Sequence, residues 1–134
     1  MLSIFPELLP YGLVGVTIIR ITIGLVLFYI GLMTTGVKKT SYQAEMRVRD
    51  YPFVNIIPIV FGIVEIITGL FLVVGFLTQL MVLIAIYIFI NLIFIEKHVG
   101  RVFDYPNIFY ISLIFVSAAI LFLGPGLYSV DLPL

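Results

Sequence analysis

The chain of 134 residues is 63% hydrophobic and 10% charged, with a formal net charge of zero and a mean hydropathy of +1.29. A soluble domain of that length cannot hide so much apolar surface, so lipid must be the solvent for most of it. Zero net charge leaves no basic surface for nucleic acid, and the absence of cysteine removes disulfides, thiolate nucleophiles, CxxC redox motifs and cysteine-ligated clusters.

Met1–Pro10 reads as a short interfacial lead-in closed by Pro10. No basic residue precedes the first apolar stretch, which is long enough to span, so a cleaved signal is not expected. A spanning helix needs about 20 predominantly apolar residues. Tyr11–Met33, Val54–Val74, Leu77–Ile95 and Asn107–Leu123 qualify, which predicts an all-α, four-helix membrane bundle forming one domain over residues 1–134.

On the first helix, Thr17, Arg20, Gly24 and Gly31 fall along one face, as do Pro58, Gly62, Glu65 and Gly69 on the second. Small residues let membrane helices approach closely, so both stripes should turn inward. Arg20 lies nine residues after Tyr11, and Glu65 nine before Val74, which predicts similar depth in antiparallel helices and an ion pair between them. A charge at mid-bilayer costs at least ~2.5–3.5 kcal/mol on insertion scales. The pair therefore either pins the two helices together or lines a polar cavity for an anion, a quinone headgroup or a proton path.

Between these helices, Thr34–Phe53 mixes charges with Tyr42, Met46 and Tyr51, and reads either as a short helix at the membrane surface or as a tethered polar loop. The connection Gly75–Phe76 is so short that the second and third helices must form an antiparallel hairpin. Tyr87 and Asn91 share a face of the third helix, and Tyr110 and Ser117 a face of the fourth; hydrogen bonds between helices are the expected role of both pairs. His98, beside Glu96 and Lys97, reads as a solvated loop residue rather than a metal ligand. As the single histidine, it excludes a bis-histidine haem built from this chain alone.

Outside Arg20, all six basic residues (Lys38, Lys39, Arg47, Arg49, Lys97, Arg101) lie in two alternate connections, and none lies in the lead-in, the hairpin turn or the tail. The positive-inside rule puts both charged loops in the cytoplasm and both termini outside. Tyr11 and Tyr128 outside, with Tyr42, Tyr51, Tyr105 and Tyr110 inside, suit an aromatic belt. No P-loop, HExxH, GxGxxG or nucleophile elbow appears, so no catalytic residue is expected.

Three stretches resemble the DoxX family of small four-helix membrane proteins. They are Arg20 with Gly24 and Gly31; Gly62 to Thr78, similar to the family's GxxExxxGxxLxxGxxT; and Gly124, Gly126, Ser129 and Asp131, similar to its GxGxxSxD ending. Where the family often carries basic residues after the second of these and before the terminal serine, this chain has Gln79 and Leu127 or Tyr128. The resemblance implies a plasma-membrane protein linked to thiosulfate:quinone oxidoreduction or to complexes handling oxidative stress. Distant relatives act as assembly factors or cargo receptors. Together with the missing redox residues, this favours an accessory or quinone-associated anchor subunit over a catalyst. A scaffold and a small transporter are the alternatives. Expected company is lipid, other membrane or membrane-associated subunits or further copies of the chain, with no covalent cofactor and quinone or lipid as the bound molecule.

Overall fold

Lipid offers backbone N–H and C=O groups no partner, so each long apolar stretch closes its hydrogen bonds within a helix. The computed structural model describes residues 11–48, 50, 52–98, 103, 105–126 and 129–130, apart from the side chains of residues 45 and 98. Among them five helices form: α1 (Gly12–Thr35), α2 (Lys39–Val48), α3 (Ile57–Val74), α4 (Thr78–His98) and α5 (Asn107–Leu123). α1, α3 and α4 are long and apolar enough to cross a membrane, and α5 is a shorter apolar helix. The expected lead-in, with Tyr51, Arg49, Arg101, Tyr128 and Asp131, lies outside the described residues.

The four apolar helices form a ring in chain order, with α1 packed most extensively on α3, α4 on α5, and α3–α4 and α5–α1 contacts closing it. Inward positions of α1 recur every three or four residues: Val16, Arg20, Ile23, Leu27, Ile30 and Thr34 are buried. Exposed positions are also apolar, including Ile18, Leu25, Leu83, Phe115 and Phe122, as a lipid-facing surface requires.

Glycines set the α1–α3 seam. A methyl group added at Gly24 would stand 2.7 Å from the Gly69 carbonyl, and one at Gly31 would stand 2.8 Å from that of Gly62. The two backbones touch where neither helix has a side chain. α3 starts with Pro58 in its first turn, where a missing N–H costs nothing. It ends at Gly75 in the left-handed conformation, with the Gly75 and Phe76 N–H groups both donating to the Phe71 carbonyl.

Of the two readings of the first charged connection, the helix holds, as α2. It does not lie free on the surface, because Tyr42 and Met46 are buried in the main core, and α2 packs on both α1 and α3. The spacing of four puts both side chains on one face. Tyr42 and Tyr110 are thus core residues rather than interfacial anchors. The end of the bundle bearing α2 is its charged end, and the opposite one its terminal end.

Candidate functional site

Arg20 and Glu65 do not meet. Gly75, not Val74's distant neighbour Glu65, faces Arg20: a methyl on Gly75 would fall 2.6 Å from Arg20 Nη1. α1 therefore begins about two turns beyond the end of α3, and this axial offset defeats the equal-depth expectation. At ~1.5 Å per residue, Glu65 lies level with the region of Ile30, roughly 15 Å along α1 from Arg20.

Arg20 belongs to the terminal end. Its Nη1 donates to the Pro125 carbonyl at 2.5 Å, and its guanidinium rests on the C-terminal turn of α3, where the helix dipole favours a cation. The turn carrying Pro125 is shaped by positive φ at Gly124 and Gly126. Gly126 lies against the first turns of α1; a methyl there would be 2.7 Å from Thr17 Oγ1. Thr17 Oγ1 itself donates to the Leu13 carbonyl at 3.0 Å. Thus Thr17, Arg20, Gly75, Pro125 and Gly126 converge, and the turn after α5 is clasped onto the first helix. Ser129 is half-buried close by in sequence, and Asp131 is outside the described residues.

Glu65 belongs to the charged end. It is 1% exposed. Oε2 accepts a hydrogen bond from Thr34 Oγ1 at 2.9 Å, while Oε1 has no partner among the described residues. Thr34 Oγ1 also lies 2.9 Å from the Ile30 carbonyl of its own helix, so its single hydrogen is shared between the two acceptors. Tyr42, rising from α2, is close enough that burial first and Glu65, when ionised, second push its phenol well above the usual tyrosine range. On the other side of the ring, Tyr110 Oη donates to Glu96 Oε1 at 3.0 Å, linking α5 to α4. Two carboxyls and two phenols from four helices are therefore buried at one end.

The remaining polar positions divide. The Tyr110 bond is the interhelical contact its face suggested, whereas Ser117 Oγ is buried with no hydrogen-bond partner among the described residues. Tyr87 is 64% exposed and faces lipid. Asn91 Nδ2 donates to the Tyr87 carbonyl at 2.8 Å within α4, so this pair makes no bond between helices. Lipid offers the amide nothing, and the carbonyl one turn back is the nearest acceptor.

A groove runs between α1 and the segment entering α5. Its apolar part, about 290 Å³, is bordered by Thr22, Leu25, Val26 and Phe109. A second part of about 190 Å³ opens at Lys38, Met33 and Phe103, and Tyr29, Ile30 and Tyr105 border both. Tyr105 and Phe109 stack at 5.1 Å, giving this wall a flat aromatic face. Sequence reasoning missed Thr34, the burial of Glu96 and the groove. Glu96 was hidden by its charged neighbours, although α4 continues through it to His98. The four-residue spacing of Tyr42 and Met46 was the one available signal for the buried face of α2.

Comparison with known proteins adds one match: the family model described as DoxX covers residues 15–98, from α1 to the end of α4. No curated protein and no solved structure matches the chain.

Proposed function

The chain belongs to the DoxX family, and from that premise we propose that it is an accessory subunit of a membrane oxidoreductase, holding quinone in the groove between α1 and α5. The observation that carries this reading is the groove's gradient. A stacked Tyr105–Phe109 wall and the apolar side chains of Leu25 and Val26 suit a flat ring and a hydrocarbon tail. Lys38 and the hydroxyls of Tyr29 and Tyr105 supply donors at the open end for a quinone carbonyl. Quinone, when bound, would supply the electron-carrying chemistry. The chain's part is to bind and orient it, since without cysteine it offers no thiol chemistry of its own.

In this reading the protein lies in the plasma membrane, with the charged end in the cytoplasm and both termini outside, on the strength of Lys38, Lys39, Arg47 and Lys97. The redox partner docks from the cytoplasmic side. A second reading, a scaffold for other membrane proteins, draws on α2. Its outer face exposes Ser41, Ala44 and Val48, and the Arg47 guanidinium bonds Asn55 at 3.1 Å, bracing α2 against the approach to α3.

The test is quinone extracted from protein purified in mild detergent. The accessory-subunit reading expects quinone to accompany the wild type and to fall several-fold in Tyr105→Ala and Phe109→Ala with the bundle intact. Equal quinone in all three, or none in any, leaves the scaffold reading instead.

A further inference from the structure

Glu65 is a carboxyl group deep within the bundle, and nothing in the groove reading uses it. Its surroundings are neutral. From α1 the polar group facing it is the Thr34 hydroxyl, and from α2 it is the Tyr42 phenol. Across the ring, α4 contributes Glu96 and α5 contributes Tyr110, bonded to each other. Thr34 supplies one hydrogen bond to Oε2, and among the described residues no group reaches Oε1. A bare carboxylate in hydrocarbon with a single neutral donor is strongly disfavoured, and the group neutralises by taking a proton.

Access is unequal on the two sides. Towards the terminal end, the Thr68 hydroxyl is buried one turn along α3, while Ile23, Leu27, Leu72, Val82, Ala85 and Phe89 are buried and apolar, and the Gly24–Gly69 contact closes the seam beside them. Towards the charged end lie Thr34, Tyr42, Tyr110 and Glu96, hydroxyls and a carboxyl that can pass a proton.

We propose that Glu65 is a buried proton-binding site that exchanges its proton with the charged end of the bundle alone. The proton sits on Oε1 while Thr34 donates to Oε2. On release the Oε1–H bond breaks, the proton goes to water at the charged end through the hydroxyl groups named, and Thr34 holds the carboxylate left behind. No electron moves. The site stands whether or not the groove holds quinone, and it argues against a proton path through the bundle, because beyond the Thr68 hydroxyl the buried Ile23 and Leu72 are apolar.

Infrared spectroscopy of the full chain in phosphatidylcholine–phosphatidylglycerol vesicles tests it, with glutamate carboxyls labelled with carbon-13. At neutral pH a protonated carboxyl C=O band should be present, shift in deuterated water, and disappear in Glu65→Gln. In Thr34→Val the band should move to higher frequency, as a C=O does on losing a hydrogen bond. This second variant keeps the question answerable if Glu65→Gln fails to fold. No protonated glutamate band at neutral pH, or a band indifferent to both substitutions, overturns the assignment. Vesicles loaded with a pH dye should acidify no faster with the protein than without it; faster acidification overturns the one-sided exchange.

Discussion

The Thr34 hydroxyl, 2.9 Å from Glu65 Oε2, is the hydrogen-bond partner that the carboxyl finds on α1. Arg20, on the same helix, instead reaches the Pro125 carbonyl at the opposite end. The two ionisable residues of the membrane interior thus serve different ends of the bundle. Sites separated by more than 7–10 Å with no shared partner add within ~0.3–0.5 kcal/mol. Arg20→Leu and Glu65→Gln should therefore be additive in a double-mutant cycle of unfolding free energies, measured by steric trapping in bicelles. A coupling of several kcal/mol would put the two side chains in contact.

What the sequence made legible, and what it hid, follows from one geometric fact. Periodicity identifies which residues share a face, and so the stripes Gly24–Gly31 and Gly62–Gly69 were visible, as were the boundaries of α5. Periodicity says nothing about how far one helix slides along its neighbour. That slide, with Gly75 opposite Arg20, separates Glu65 from its expected partner and delivers Arg20 to a turn more than a hundred residues downstream in the chain. Glu96 was lost for a related reason: charge patterning marks a loop, and α4 carries its last turn into that loop.

The glycine seam predicts a contrast within one helix. Gly24→Ala must push its methyl into the Gly69 carbonyl at 2.7 Å and against Val73, whose Cγ2 is at 2.8 Å and backbone N at 3.0 Å. Overpacking of this kind costs about 1–3 kcal/mol. Gly15, also on α1, has nothing within 4 Å of the added methyl. Gly15→Ala should be neutral or gain up to ~1 kcal/mol from helix propensity. Thermal unfolding in detergent compares them directly, and equal midpoints would mean that the α1–α3 contact is looser than described.

The clasp at the terminal end separates strain from contact. Gly124 has φ +87 and ψ −174, a region essentially restricted to glycine, yet an added methyl meets nothing within 4 Å. Gly124→Ala should cost ~1–3 kcal/mol from backbone strain alone. Gly126 also has positive φ, and its methyl would press on Thr17 Oγ1 at 2.7 Å and Thr17 N at 3.0 Å. Gly126→Ala should be the more damaging, lifting the turn away from α1 and with it the carbonyl that Arg20 bonds. Limited proteolysis of the C-terminal segment reads this out: faster cleavage is expected in Gly126→Ala than in Gly124→Ala, and the reverse order would mean that the turn does not rest on α1.

Alkaline pH should loosen α2 first. The Tyr42 phenol is held above its ordinary value of 10.0, by burial and then by Glu65 once that carboxyl has released its proton at alkaline pH. A group whose pKa is raised on folding stabilises the fold fully below its unfolded value, and that contribution is lost as pH climbs toward the folded one. Above about pH 10 the unfolded chain can ionise Tyr42 and the folded chain resists, so the stability of α2's docking should decline with pH from there. Tyr42→Phe cannot ionise and should remove part of that decline while leaving neutral-pH behaviour nearly unchanged. Hydrogen exchange of the α2 amides, compared between wild type and Tyr42→Phe at matched chemical exchange rates, measures the difference. If α2 protection falls identically in both above pH 10, the phenol is reached by solvent and does not lie against Glu65.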